Sequence, residues 1–123
     1  MGRAPEHPAR VLLVEDSRDD AELIEIALRE AMPALECRRA WSADTLREAL
    51  VAFPPQAVVS DFNLPGFSAA EALQQVRAHD PALPFVLLTG SAAADLPEPP
   101  PGTSAMLSKD ELAKLPALLR ELL

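Results

Sequence analysis

Residues 57–66 read Ala57-Val58-Val59-Ser60-Asp61-Phe62-Asn63-Leu64-Pro65-Gly66, and this stretch decides the fold. Its first half is apolar and short enough to be a buried parallel strand. The Asn-Leu-Pro-Gly sequence that follows predicts a turn, because these residues cannot continue a strand. Asp61 is therefore expected at the carboxyl end of a strand, the edge where open α/β sheets place their ligands and chemistry.

The rest of the chain alternates apolar strand-like segments with helix-like ones. Strands are predicted at residues 11–14, 35–40, 57–61, 85–88 and 105–107. Helices are predicted to begin at Ser17, Ser42 and Ser68, where a capping serine precedes apolar residues at helical spacing. In the first helix the residues predicted to face the core are Leu23, Ile24, Ala27, Leu28 and Ala31. A last helix carries a leucine stripe, with Pro116 in or near its first turn.

This alternation predicts an α/β fold, a doubly wound five-stranded parallel sheet in the order 2-1-3-4-5. The second strand is interrupted by Glu36, Arg38 and Arg39, so it is expected at a sheet edge. The connection between strands four and five is crowded with prolines at 97 and 99–101. Because proline is excluded from helix interiors, we expect an extended crossover with at most one helical turn near residues 92–95.

Composition limits the classes of function. At 123 residues the chain is one domain, with residues 1–9 expected to be a disordered leader and residues 10–123 the folded domain. Nineteen acidic and eleven basic residues give a net charge of −8, which argues against nucleic acid or a membrane surface as a partner. The single Cys37 excludes an internal disulfide and fits a reducing cytosol, so a cytoplasmic domain is predicted.

Polar side chains end four of the five predicted strands: Glu15 and Asp16, Asp61, Thr89, and Lys109. In this strand order those four strands are neighbours, so three carboxylates, a hydroxyl and an ammonium share one edge. Crowded carboxylates resist ionisation without a cation, and a hard divalent ion such as Mg²⁺ relieves their repulsion. With such an ion in place Asp61 can act as a nucleophile towards phosphorus, while Lys109 and Thr89 share the charge of the phosphoryl oxygens.

These residues carry a resemblance to the receiver domain of two-component response regulators, over about residue 10 to the C-terminus. The matching segments are Val14-Glu15-Asp16, Ser60-Asp61-Phe62-Asn63-Leu64-Pro65-Gly66, Leu88-Thr89-Gly90 and Ser108-Lys109. The resemblance implies a flavodoxin-like receiver fold, a phosphoprotein without enzyme activity of its own. It also implies a histidine kinase or phosphotransfer protein as the phosphoryl donor, and a downstream protein partner of unknown identity.

By the same resemblance Asp61 is the phospho-acceptor. Glu15 and Asp16 would hold Mg²⁺ together with Asp61 and the backbone carbonyl of Asn63. Thr89 would be the switch hydroxyl, and Lys109 the lysine that forms an ion pair with the phosphoryl group.

The chain departs from the family pattern at four places. Glu15 stands where many receivers have Asp, and Ala69-Ala70 replaces the glycine usual after the acceptor loop. Met106 occupies the position of an aromatic residue that usually changes rotamer with the switch. The proline-rich crossover leaves the fourth helix short or replaces it. These departures bear on how the domain passes on its signal.

Two other functions compete with this interpretation. A pseudo-receiver would use the fold as a constitutive protein-binding module, and the altered fourth helix and Met106 favour it. A small phosphohydrolase of the haloacid-dehalogenase kind also uses an aspartate at a strand end. That enzyme needs a second carboxylate two residues later, where this chain has Asn63. Because the sequence stops after its last helix, the leading interpretation is a receiver that stands alone or is excised from a hybrid kinase.

Overall fold

The computed structural model describes residues 9–123, which form five strands and four α-helices. The predicted leader, residues 1–9, lies outside the described residues except for Ala9, and its disorder stays a prediction. The strands are β1 (Arg10–Val14), β2 (Glu36–Ala40), β3 (Ala57–Asp61), β4 (Phe85–Thr89) and β5 (Ala105–Ser108). The helices are α1 (Arg18–Ala31), α2 (Ala43–Ala52), α3 (Ala69–His79) and α4 (Leu115–Leu122).

The five strands form one parallel sheet in the order β2-β1-β3-β4-β5, which confirms the predicted topology. The register keeps the carboxyl ends of the inner strands level. Val14 lies opposite Ser60, Asp61 opposite Leu88, and Thr89 opposite Ser108. The polar residues that end β1, β3, β4 and β5 are therefore brought to one edge of the sheet.

Serine caps fix where the first three helices begin. The Ser17 hydroxyl accepts the backbone N–H of Asp20 at the start of α1. Ser68, the predicted cap of α3, forms a capping box with Glu71. Ser42 forms a box as well, with Thr45 as its partner. These caps set α1 and α3 to begin shortly after the β1 and β3 ends that carry acidic residues.

Apolar side chains cover both faces of the sheet. Leu12, Val58 and Leu87 point to the face packed by α2 and α3. Their neighbours Leu13 and Val59 point to the opposite face, which α1 and α4 cover. β3 and β4 are buried along their whole length, as expected for the central strands of a doubly wound sheet.

The prediction for Leu23 is wrong, because its side chain is 58% exposed. Ala21, Ile24 and Leu28 provide the buried face of α1 instead. That face follows the i, i+3, i+7 spacing, and Leu23 lies next to it on the solvent side. Ile26 is exposed in the same way.

The proline-rich crossover has the predicted extended form. Its helical content among the described residues is one 3₁₀ turn, Ala93–Asp95. Arg77 of α3 fixes the end of the crossover by donating to the carbonyl of Gly102 at 2.7 Å. A 3₁₀ segment, Lys109–Lys114, then leads into α4, and Pro116 lies in the first turn of that helix as predicted.

No helix within residues 9–123 combines the length and the apolar character that a membrane span needs.

Replacing Gly66 tests the turn that follows Asp61. Gly66 has φ of +84°, and a Cβ placed there meets no atom within 4 Å. Gly66→Ala should therefore lower the free energy of unfolding by about 1–2 kcal/mol through backbone strain alone. Gly90→Ala is the matched control, since Gly90 has the same free space without a positive φ. Urea unfolding that shows equal effects for the two variants would contradict the assigned turn geometry.

Candidate functional site

Three carboxylates meet at the carboxyl edge of the sheet. One oxygen each from Glu15, Asp16 and Asp61 lies within 4.8 Å of the others. Glu15 directly follows β1, and its backbone N–H donates to the Ala40 carbonyl of β2 at 2.9 Å. Asp61 is the last residue of β3. The parallel strand register and the short turns after β1 and β3 thus bring together the cluster predicted from the sequence.

Burial differs within this cluster. Glu15 is 1% exposed and Asp61 is 9% exposed, whereas Asp16 lies at the surface. Burial raises the pKa of Glu15, and the nearby charge of Asp61 raises it further. The Ser17 N–H and the Lys109 ammonium act in the opposite direction without cancelling the rise in that pKa. The site therefore holds more negative charge than its protein cations neutralise.

Lys109 supplies the positive charge that the protein places in this cluster. Its Nζ lies 3.0 Å from Asp20 Oδ2, 3.2 Å from Glu15 Oε1 and 3.6 Å from Asp61 Oδ1. Burial lowers the pKa of Lys109, but the Asp20 hydrogen bond and the charges of Asp61 and Glu15 outweigh it, so the pKa is raised. Lys109 is therefore charged at neutral pH, with its ammonium shared among three acids.

Thr89 is buried at the end of β4, next to the β3 end that carries Asp61. Its hydroxyl oxygen accepts the backbone N–H of Ser91 at 3.2 Å. The buried Ser108 donates from its hydroxyl to the Ser91 carbonyl at 2.6 Å. Ser108 thereby ties the loop after Thr89 to the strand end that carries Lys109.

Asn63 lies two residues beyond Asp61 in the acceptor loop and is exposed. Its backbone N–H faces Asp61 Oδ1 at 3.4 Å. Its predicted role as a metal ligand through the backbone carbonyl stays a prediction. The structure brings the predicted site residues to one edge, while the chemical role of each of them remains to be measured.

Two residues of the site were not singled out from the sequence. Asp20 lies in the first turn of α1, three residues after the capping Ser17, and its carboxylate accepts a hydrogen bond from Lys109. Arg39 was interpreted only as a polar interruption of β2. Its guanidinium donates to the carbonyls of Glu15 and Asp16 at 3.0 and 3.4 Å. The pairing of β2 with β1 could have placed Arg39 near the site, because Arg39 lies opposite Leu13, close to the end of β1.

Arg39 also stacks on Trp41, which is 48% exposed just beyond β2, with 4.8 Å between the guanidinium carbon and the ring centroid. The indole is thereby linked through one side chain to the β1–α1 turn that carries two of the three carboxylates.

The family model described as the response regulator receiver domain matches residues 11–110. The chain belongs to the response regulator receiver family. The match runs from the second residue of β1 through β5 and contains every residue of the candidate site, from Glu15 to Lys109.

Known relatives agree with this assignment. The receiver domain is 32% identical over 101 residues to the Probable transcriptional regulatory protein TcrX of Mycobacterium tuberculosis. That match covers 77% of this chain and 40% of TcrX, so the chain spans less than half the length of this relative.

Solved receiver structures share the fold. A CheY-like receiver domain from Methylobacillus flagellatus superposes with a TM-score of 0.79 at 24% identity, covering 94% of this chain and 99% of that one. The response regulator TrrA of Thermotoga maritima, solved in complex with Mg²⁺ and BeF, gives the same TM-score and coverage at 21% identity.

Replacing Glu15 tests whether its buried charge lowers the stability of the receiver domain when no metal is bound. The folded pKa of Glu15 lies above the reference value of 4.5, so its charged form destabilises the fold. The contribution of Glu15 to the free energy of unfolding should therefore fall as pH rises through its folded pKa, and Glu15→Gln should not share that loss. In EDTA, the variant should be the more stable protein at pH 7, and the difference should disappear below about pH 4.

Glu22→Gln is the matched control for this experiment, because Glu22 is an exposed acid of α1. Urea unfolding at pH 4 and pH 7 measures both variants. A Glu15→Gln protein that is less stable than wild type at pH 7 would show that Lys109 stabilises the Glu15 charge more than burial destabilises it.

Proposed function

We propose that this domain accepts a phosphoryl group on Asp61 from a histidine kinase or phosphotransfer protein and uses it as a signal in the cytoplasm. The observation that carries the proposal is the grouping of Glu15, Asp16 and Asp61 within 4.8 Å, with Lys109 beside them. An acceptor needs a carboxylate that a phosphate donor can reach, and the largely buried Asp61 side chain keeps 10% of its surface exposed at the edge of the sheet. An acceptor also needs cations near the negative phosphoryl group that it receives.

The acidic group fits Mg²⁺. Its donors are carboxylate oxygens, the ligands that this ion prefers, and too few of them are available to displace all of its waters. Burial is the main cause of the raised pKa of Glu15 and the Asp61 charge adds to it, so a divalent ion bound here would stabilise both carboxylates. When bound, Mg²⁺ would neutralise charge on the phosphoryl oxygens. The wild-type TrrA structure contains Mg²⁺ with BeF, which supports this chemistry for the family.

In the transfer, an Asp61 carboxylate oxygen attacks the phosphorus of phosphohistidine. The new O–P bond forms as the P–N bond breaks, and the imidazole nitrogen keeps the electron pair and takes a proton from solvent. Asp61 needs no general base, because it reacts as a carboxylate. The Asn63 N–H and the Lys109 ammonium hold the carboxylate in place.

The phosphorylated state would be read through Lys109 and Thr89. Three added phosphoryl oxygens compete for the Lys109 ammonium, which rests 3.6 Å from Asp61. The Thr89 hydroxyl oxygen accepts a hydrogen bond from the Ser91 N–H. A hydroxyl can also donate its own hydrogen, and rotation about χ1 would direct that hydrogen to a phosphoryl oxygen. That rotation would move the Ser91 loop, which Ser108 links to β5.

Phosphorylation itself is the direct test. Incubation with acetyl phosphate and Mg²⁺ should add one phosphoryl group to wild type, as read by intact mass. Asp61→Asn should add none, because the amide keeps the shape and lacks the nucleophile, and EDTA should prevent the addition to wild type. Asp16→Asn should slow the addition at least tenfold by weakening the metal site.

Asp110→Asn is the control for that experiment, since Asp110 is an exposed acid next to Lys109 and outside the metal group. Phosphate gained by Asp61→Asn would show that another residue is the acceptor.

Replacing Lys109 separates chemistry from signalling. Lys109→Ala should still gain a phosphoryl group, because the nucleophile and the metal ligands remain. It should lose the phosphorylation-dependent change in backbone amide NMR shifts around Thr89 and Ser91. Wild-type-like shift changes in this variant would contradict the switch role of Lys109.

A second candidate function, constitutive protein binding, has one observation in its favour. An open groove of about 740 Å³ lies between the acceptor loop and the proline-rich crossover, lined by Phe62, Leu64, Phe67 and prolines 99–101. Exposed apolar grooves of this kind often bind other proteins. No phosphoryl gain by a folded wild-type domain would favour this function.

A further inference from the structure

The Lys109 ammonium has three carboxylate partners, and they are of two kinds. Glu15 and Asp61 belong to the acidic group that could hold a divalent cation. Asp20 does not belong to that group within residues 9–123, yet its Oδ2 makes the shortest of the three contacts, at 3.0 Å. One ammonium is thus held by two metal-site acids and by one acid outside the metal site.

This arrangement matters when a cation enters. A divalent ion would take the charges of Glu15 and Asp61, and it would repel an ammonium that lies within 4 Å of the same oxygens. Lys109 would then either leave the site or compete with the ion for those two acids. An acid that contacts Lys109 without binding the metal gives the ammonium a partner for which the ion does not compete.

We propose that Asp20 is the counter-ion that keeps the Lys109 ammonium in the site when a divalent cation takes the charges of Glu15 and Asp61. This role rests on the proposed function, since it concerns the same metal site. Asp20 acts through Lys109 and is a positioning residue. It sits in the first turn of α1, where the Ser17 hydroxyl fixes its backbone N–H.

The fold supports this role for Asp20. α1 begins just past the β1 end and contacts the 3₁₀ segment that starts at Lys109. The Asp20 side chain is 44% exposed, against 2% for Glu15 and 10% for Asp61. Lys109 therefore links a buried metal site to a half-exposed acid and can shift between them without losing a charged partner.

Asp19 offers a matched control, because it lies in the same first turn, is exposed and makes no ion pair in residues 9–123. Asp19→Asn and Asp20→Asn remove the same charge from the same helix terminus. A difference between them therefore reports the contact with Lys109 and not the helix dipole or the net charge.

The experiment measures Mg²⁺ affinity by titration calorimetry in the absence of any phosphoryl donor. Asp20→Asn should weaken Mg²⁺ binding about threefold to fivefold, the range expected for a part-exposed ion pair, and Asp19→Asn less than about twofold. Asp20→Glu should recover most of the affinity. In the Lys109→Met background, the effect of Asp20→Asn should shrink to that of Asp19→Asn, because no ammonium remains to compete.

Two results would overturn the role of Asp20 alone: equal effects of Asp19→Asn and Asp20→Asn, or an Asp20→Asn loss that is as large in the Lys109→Met background. Either would leave the metal site and the proposed function intact. Failure of wild type to bind Mg²⁺ would overturn the metal-dependent function together with this inference.

Discussion

The central constraint on this structure is the repulsion among acidic side chains that the parallel strand register places close together. Glu15 and Asp61 are almost fully buried at neighbouring strand ends, and Asp16 adds a third carboxylate within 4.8 Å. Buried like charges are costly unless a cation offsets them. Lys109 provides one such charge, 3.2 Å from Glu15 and 3.6 Å from Asp61, against three carboxylates. The three carboxylates could hold a divalent ion, and the function proposed above places the arriving phosphoryl group on Asp61.

The loops around this edge are held by polar contacts that also connect them. Arg39 binds two carbonyls of the turn after β1 and stacks on Trp41. Ser108 joins the loop after Thr89 to the end of β5. Asp20 reaches Lys109 from α1. A change in charge at Asp61 would act directly on Lys109, and through Lys109 on Glu15 and Asp20, which share its ammonium.

The proline-rich crossover separates this domain from a receiver with a regular fourth helix. Its extended backbone carries exposed residues around one 3₁₀ turn and borders the groove beside Phe62 and Phe67. Proline fixes φ and removes a backbone donor, so this segment loses little entropy when a partner covers it. The crossover face is therefore expected to differ in shape from one formed by a helix.

Sequence patterns predicted the positions of the strands, the caps of α1 and α3, the extended crossover and the residues at the acidic edge, and the alternation of strands with helices predicted the strand order. These features depend on local chemistry: apolar runs of strand length, serines before helical spacing, prolines that exclude helix, and polar residues at strand ends. Only the tertiary structure decided which face of α1 is buried, and so left Leu23 exposed. It also recruited Asp20 and Arg39, because contacts across 89 and 24 positions of chain depend on register and helix placement, which leave no local pattern.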